Sequence, residues 1–152
     1  MKRPGWITYP AFLALSMGGG LLIGVITIPG PWYQALAKPP FTPPNWLFAP
    51  AWTILYALIG IVGARVFGAK DSKGLFRIWL FQMLLNFIWS PVFFGWQLAG
   101  AALVIIIMLL LAIAAFMARA RRWDPVSVAL FAPYFVWVSY ASYLNAGIYV
   151  LN

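Results

Sequence analysis

The chain has 152 residues, 64% of them hydrophobic and 8% charged, and a formal net charge of +8. Soluble domains carry roughly 25% charged residues, so water is not the solvent for most of this surface, and the class is an integral membrane protein. With no His, no Cys and only two acidic residues, the composition excludes a Ser-His-Asp triad, a zinc site, a histidine haem ligand and disulfides. No metal and no cofactor are expected.

Taken in chain order, four uncharged runs cover residues 4–37, 39–64, 78–118 and 125–152. Each exceeds the ~20 apolar residues that a spanning helix needs. The first run predicts a helix from Ile7 to Ile28. Lys2 and Arg3 ahead of small residues at Ala14, Ser16 and Gly18 also fit a cleaved leader, but the apolar character continues to Ile28 and favours a retained helix. Within it, Gly20-x-x-x-Gly24 permits close helix contact, inside a bundle or between protomers. A connector over 29–45 crowds aromatics and prolines around Lys38, which makes it stiff. The second helix is expected from Trp46 to Phe67 and the third from Leu75 to Trp96. The third run is long enough for two spans and breaks at Gln97-Leu98-Ala99-Gly100, so a tight hairpin leads into a fourth helix from Ala101 to Arg119. Asp124 before Pro125 marks the start of a fifth, from Val126 to Leu151. Pro91 and Pro133 interrupt the third and fifth helices or are accommodated by their neighbours. The expected architecture is all-α, a single domain over 1–152 built as one bundle of five transmembrane helices.

The cations check that count. Five spans put Lys2, Arg3, Arg65, Lys70, Lys73, Arg77, Arg119, Arg121 and Arg122 on one side and Lys38 alone on the other. Because positive residues within about 15–20 positions of helix ends stay in the cytoplasm, the amino terminus is expected inside and the carboxyl terminus outside. The basic charge then reflects topology, with an affinity for anionic lipid headgroups, and no nucleic-acid partner is expected. Asp71 and Asp124 balance charge locally. No acid lies within a span, which argues against an ordinary proton-coupled transporter.

The membrane interior holds aromatics and amides. Trp6, Trp46, Trp96 and Trp123 fall at helix ends, where indoles anchor the interface. Trp52, Trp89 and Trp137 lie within spans, sharing them with Asn86, Ser90, Ser139, Ser142 and Asn145. The plain reading of these amides is interhelical hydrogen bonding, worth about 0.6–2 kcal/mol each. Depth offers a second reading. At ~1.5 Å per residue, Trp52 and Asn145 lie about 9 Å below the outer helix ends, Trp89 about 10 Å and Asn86 about 15 Å. Asn86, Trp89, Ser90 and Phe93 share one helical face, and so do Tyr134, Trp137, Ala141, Leu144 and Asn145. Turned inward, these faces make an outer-half cavity, roofed by the connector, for a flat, largely apolar ligand. Lys38 would serve its carboxylate or propionate.

The order Trp32-Tyr33-x-x-Leu36-x-Lys38-Pro39-Pro40-Phe41-Thr42-Pro43-Pro44, Pro50-x-Trp52, Leu85-Asn86-x-x-Trp89-x-Pro91-x-Phe93-Phe94-Gly95, Pro133-Tyr134-x-x-Trp137 and Tyr143-Leu144-Asn145 resembles the TspO/MBR family. These are the tryptophan-rich sensory proteins and the mitochondrial translocator, or peripheral benzodiazepine receptor. The resemblance spans essentially the whole chain. It implies a five-helix bundle, commonly a homodimer, that binds porphyrins such as protoporphyrin IX and related flat hydrophobic ligands as sensor, receptor or translocator. Carried over by position, the pocket would use Tyr33, Lys38, Pro43, Trp52, Asn86, Trp89, Ser90, Trp137, Ala141 and Asn145. Some members degrade porphyrin in light, for which Trp32 and Trp52 are the candidate residues. Phe41 departs from the tryptophan of many members and is less easily oxidised, which ranks that activity second. A structural, partner-recruiting role ranks third. The sterol motif fails, because Tyr149 is followed by Val150-Leu151-Asn152 without a cation. The expected location is a bacterial cell membrane, with an outer membrane also compatible with the resemblance.

Overall fold

A computed structural model describes residues 4–69 and 73–152, with Lys73 described by its backbone alone. Lys2, Arg3, Lys70, Asp71 and the Lys73 side chain therefore lie outside the described residues. Among the described residues, all regular structure is helical. Five helices are long and apolar enough to cross a membrane: α1 (Thr8–Ile26), α3 (Asn45–Phe67), α4 (Gly74–Gly95), α5 (Ala99–Ala120) and α6 (Pro125–Leu151). The short helix α2 (Pro31–Ala35) sits in the connector. Every spanning bound falls within two residues of the expected one.

Helix α5 packs between α4 and α6, while α1 packs chiefly on α3. Small residues set the α1–α3 distance. A Cβ on Gly60 would stand 2.9 Å from the Phe12 carbonyl oxygen, and one on Gly63 would enter the Trp79 and Phe12 rings. Gly20 lies against the Tyr56 ring, so half of the Gly20/Gly24 pair serves packing inside the bundle. Gly24 meets nothing within 4 Å. The other side of α1 presents Leu21, Leu22, Val25 and Ile26 outward, as a surface solvated by lipid chains requires.

Proline acts differently at its two interior positions. Without an N–H, Pro91 cannot continue the α-helical ladder, and the last turn of α4 opens into a π-helix, Pro91–Gly95. The helix then closes through Trp96 N–H to the Pro91 carbonyl (2.9 Å) and Leu98 N–H to the Val92 carbonyl (3.1 Å), with Gln97 left-handed at φ 58°. That turn is the expected hairpin. Pro133, by contrast, is contained in an unbroken α6.

The two ends of the bundle differ. At one end Asp124 caps α6, accepting from Ser127 N–H at 3.3 Å and from the Ser127 hydroxyl, and it pairs with Arg65 of α3 at 2.7 Å. Burial alone raises the Asp124 pKa, but the Arg65 and Ser127 hydrogen bonds outweigh it and hold the carboxyl below its ordinary value. The expected helix start is thus also a tie between α3 and α6. Trp6 and Trp123 at this end, and Trp46 and Trp96 at the other, are all strongly exposed.

Candidate ligand site

A hydrogen-bonded ladder crosses the core behind the expected cavity. The Tyr56 hydroxyl donates to Asn86 Oδ1 (2.8 Å), Asn86 Nδ2 donates to the Tyr134 hydroxyl (2.7 Å), and that hydroxyl donates to Gln82 Oε1 (2.8 Å). It joins α3, α4 and α6, and all four side chains are buried. In hydrocarbon such groups have no water to fall back on, so the ladder fixes the rotation of three helices about one another. Trp79 adds a fixed point by donating to the Ile59 carbonyl at 3.0 Å.

In front of the ladder stands an aromatic box. Trp52 stacks on Tyr56 with ring centroids 5.5 Å apart and meets Trp137 edge-on at 6.4 Å. Phe48 and Tyr140 close on Trp137 at 6.0 and 5.9 Å. Their positions follow from the helical period: Phe48, Trp52 and Tyr56 recur every four residues on α3, and Trp137 and Tyr140 are three apart on α6. All of these but Tyr56 are only half-buried. The Trp137 Nε1 is enclosed and has no hydrogen-bond partner, alone among the buried side-chain polar atoms of the described residues.

The connector is strapped down beside the box by α6. Tyr143 donates to the Pro40 carbonyl at 2.8 Å and Tyr140 to that of Phe41. The Asn152 side chain accepts from Ala37 N–H (3.1 Å) and donates to the Ala37 carbonyl (2.9 Å). Gly147 leaves room for the Pro39 ring, which a Cβ would enter at 2.5 Å. Phe41 is left-handed, φ 65°, and the residue is 86% exposed. A bulky residue in that region costs on the order of 1–3 kcal/mol, which the straps on either side hold in place. Lys38 caps its own segment: its ammonium lies 4.6 Å from the Tyr33 ring centroid and donates to the Leu36 carbonyl at 3.2 Å. Burial, with a smaller effect from Tyr140, pushes the Tyr33 phenol above its ordinary pKa.

A second cluster lies where α2 meets the end of α4. Tyr33 packs on Phe93 and Phe94, Trp32 on Phe93, and Trp89 stacks on Phe93 at 5.2 Å. Trp89 donates to Asn145 Oδ1 at 3.0 Å, and Asn145 Nδ2 donates to the Ala99 carbonyl at 2.9 Å. Ser90 is hydrogen-bonded to Thr27 of the α1 end at 2.7 Å. An open groove of about 790 Å³ borders this cluster, lined by Trp32, Leu36, the 97–101 turn and the last turn of α6. Of the residues expected at a site, only Trp32 lines it.

The structure thus gathers Trp52, Trp137 and, behind them, Asn86 on one side, and Tyr33, Trp89 and Asn145 on the other. Pro43 is half-buried in the connector and Ala141 is buried in the main core. The amides are engaged in interhelical bonds, in line with their plain reading. Trp32 and Trp52 fall in different clusters. Sequence reasoning passed over Tyr56, Gln82, Phe48 and the Tyr140, Tyr143 and Asn152 straps. Spacing was the available signal, since Gln82 precedes Asn86 by one turn and Tyr56 follows Trp52 by one turn.

Residues 11–151 match the model of the TspO/MBR family. A Tryptophan-rich protein TspO of Archaeoglobus fulgidus is 44% identical over 123 residues, covering 80% of each chain. The Tryptophan-rich sensory protein of Cereibacter sphaeroides is 34% identical, over 92% of this chain and 88% of that one. The Translocator protein of Homo sapiens is 31% identical, over 93% and 88% respectively.

Proposed function

The chain belongs to the TspO/MBR family and is a multi-pass integral membrane protein, and from that premise we propose that it binds porphyrins and similar flat hydrophobic molecules as a membrane sensor or translocator. The site is the Phe48, Trp52, Trp137 and Tyr140 box in the outer half of the bundle, entered by lifting the connector off α6. One observation carries this reading: half-buried aromatic rings stand edge-on to each other in front of a buried polar ladder, beside a strapped and locally strained connector. Once the connector lifts, these aromatic rings offer faces and edges against which a planar ring can pack, and the ladder holds the helices that carry them in register. Asn86 acts from behind by holding Tyr56, on which Trp52 stacks, while Tyr33 and Lys38 set the connector. The cation asymmetry supports an amino terminus in the cytoplasm, with the connector on the opposite face.

Protoporphyrin IX titrated into the purified protein is expected to quench tryptophan fluorescence saturably at micromolar concentration, with the effect weakened at least tenfold by Trp52→Ala. Quenching that never saturates, or that Trp52→Ala leaves intact, removes this site.

A further inference from the structure

We propose that the tip of the connector, residues 39–44, is embedded in the bilayer leaflet on its own side, with the Phe41 ring inserted among the lipid chains as an anchor. The inference is independent of any porphyrin at the aromatic box. Depth, backbone chemistry and side-chain exposure all point to it.

The connector runs back along α6 toward the membrane. Ala37 is held at Asn152, the Pro39 ring fills the space at Gly147, Pro40 is held by Tyr143 and Phe41 by Tyr140. From Asn152 to Tyr140 these contacts descend by 12 residues, or about 18 Å. Tyr140 stands 15 residues past Pro125, the first residue of α6 at the basic end of the bundle, or about 22 Å from it. The hydrocarbon core is ~30 Å thick. The tip therefore lies at or inside the acyl boundary, and any tilt of α6 only deepens it.

Its backbone suits that medium. Irregular chain inside a bilayer must have its polar groups satisfied or removed. Four of the six residues from 39 to 44 are proline and carry no N–H. The successive carbonyls of Pro39, Pro40 and Phe41 each accept from a side-chain hydroxyl, of Thr42 (2.7 Å), Tyr143 (2.8 Å) and Tyr140 respectively. Water would serve these carbonyls unaided, whereas hydrocarbon cannot. Lys38, where the segment enters, turns its ammonium back to the Leu36 carbonyl. Phe41 is the most exposed large apolar side chain among the described residues, and its left-handed backbone carries a cost that Gly or Asn would avoid. Transfer of the ring from water into lipid offsets that cost.

The test uses the parent protein in lipid nanodiscs. A lipid with a nitroxide high on its acyl chain is expected to broaden the Phe41 ring resonances, and a water-soluble gadolinium chelate to leave them sharp. A second measurement follows the Ala37 amide, which donates to Asn152 only while the connector is docked. Phe41→Ala keeps both straps and removes the anchor, so exchange at Ala37 should speed up by about tenfold, while Phe41→Trp stays within about twofold of the parent. Broadening by the chelate places the tip in water and overturns the proposal. Protection from both probes means that protein, such as a second copy of the chain, covers Phe41, and overturns it too. Ala37 exchange unmoved by Phe41→Ala shows that the ring anchors nothing, with the same consequence.

Discussion

Replacing Asn86 by alanine tests the polar ladder, and its consequences are unequal at the two ends. Tyr134 loses one bond but still donates to Gln82, whereas Tyr56 loses its only side-chain partner and leaves a buried hydroxyl in the core. Two intramembrane hydrogen bonds contribute about 0.6 kcal/mol each on average. The orphaned Tyr56 hydroxyl adds about 1–3 kcal/mol. Asn86→Ala should therefore destabilise the bundle by about 2–4 kcal/mol, most of it from the orphan. Adding Tyr56→Phe removes the orphan, so the double variant should be more stable than Asn86→Ala alone by about 1 kcal/mol. Reversible unfolding in mixed detergent micelles, followed by circular dichroism, reads both numbers. If Asn86→Ala lies within about 0.5 kcal/mol of the parent, or the two losses simply add, the ladder does not act as a connected unit.

Gly60→Ala should loosen the α1–α3 contact and cost about 1–3 kcal/mol, because the new methyl meets the Phe12 and Leu13 backbone, which has little room to move. Gly24→Ala, with open space around it, should be neutral or stabilising by up to about 1 kcal/mol in the same unfolding assay. Asp124→Asn keeps an acceptor at the cap and leaves Arg65 without a counter-ion, so a loss of about 2–4 kcal/mol is expected at neutral pH. Since the folded-state pKa of Asp124 is depressed, its contribution is complete above the unfolded value of about 3.9 and disappears as pH falls through the lower folded value. The parent should weaken in that acid window and the variant much less, as unfolding at pH 6 and pH 3 would register. Tyr140→Phe combined with Tyr143→Phe releases the connector. Hydrogen exchange at the Ala37 amide, which donates to Asn152 while the connector is docked, should then speed up by about tenfold, and an unchanged rate would mean that the straps do not hold it.

Apolar run length and the cation pattern carried the bundle, because hydrocarbon forces every span to satisfy its own backbone and leaves few alternatives to a helix. The hairpin was legible at Gln97, although its left-handed backbone and the π-turn after Pro91 were not. Asp124 was readable as a cap from the proline that follows it. Its bond to Arg65, 59 positions away, needed the helix packing. The site was half legible. Depth brought Trp52, Asn86, Trp89 and Asn145 into the same half of the membrane, but depth says nothing about the direction a side chain faces. Orientation divides these residues between two clusters and turns the amides toward one another. The Gln82 and Tyr56 ends of the ladder shared a helix face with Asn86 and Trp52 by spacing, but spacing within one helix does not show which side chains of different helices meet. Nor does any pattern reveal that one indole, of Trp89 and Trp137, finds an acceptor and the other does not.

The central claim is that a planar ligand enters the box between α3 and α6, and paramagnetic manganese(III) protoporphyrin reports its location directly through the tryptophan indole resonances. Broadening should appear first at Trp52 and Trp137, while Trp6 and Trp123 at the opposite end of the bundle stay sharp. Broadening that starts at Trp32 and Trp96 would place the ligand at the groove beside the α4–α5 turn, and uniform broadening would mean no defined site; either result contradicts the account.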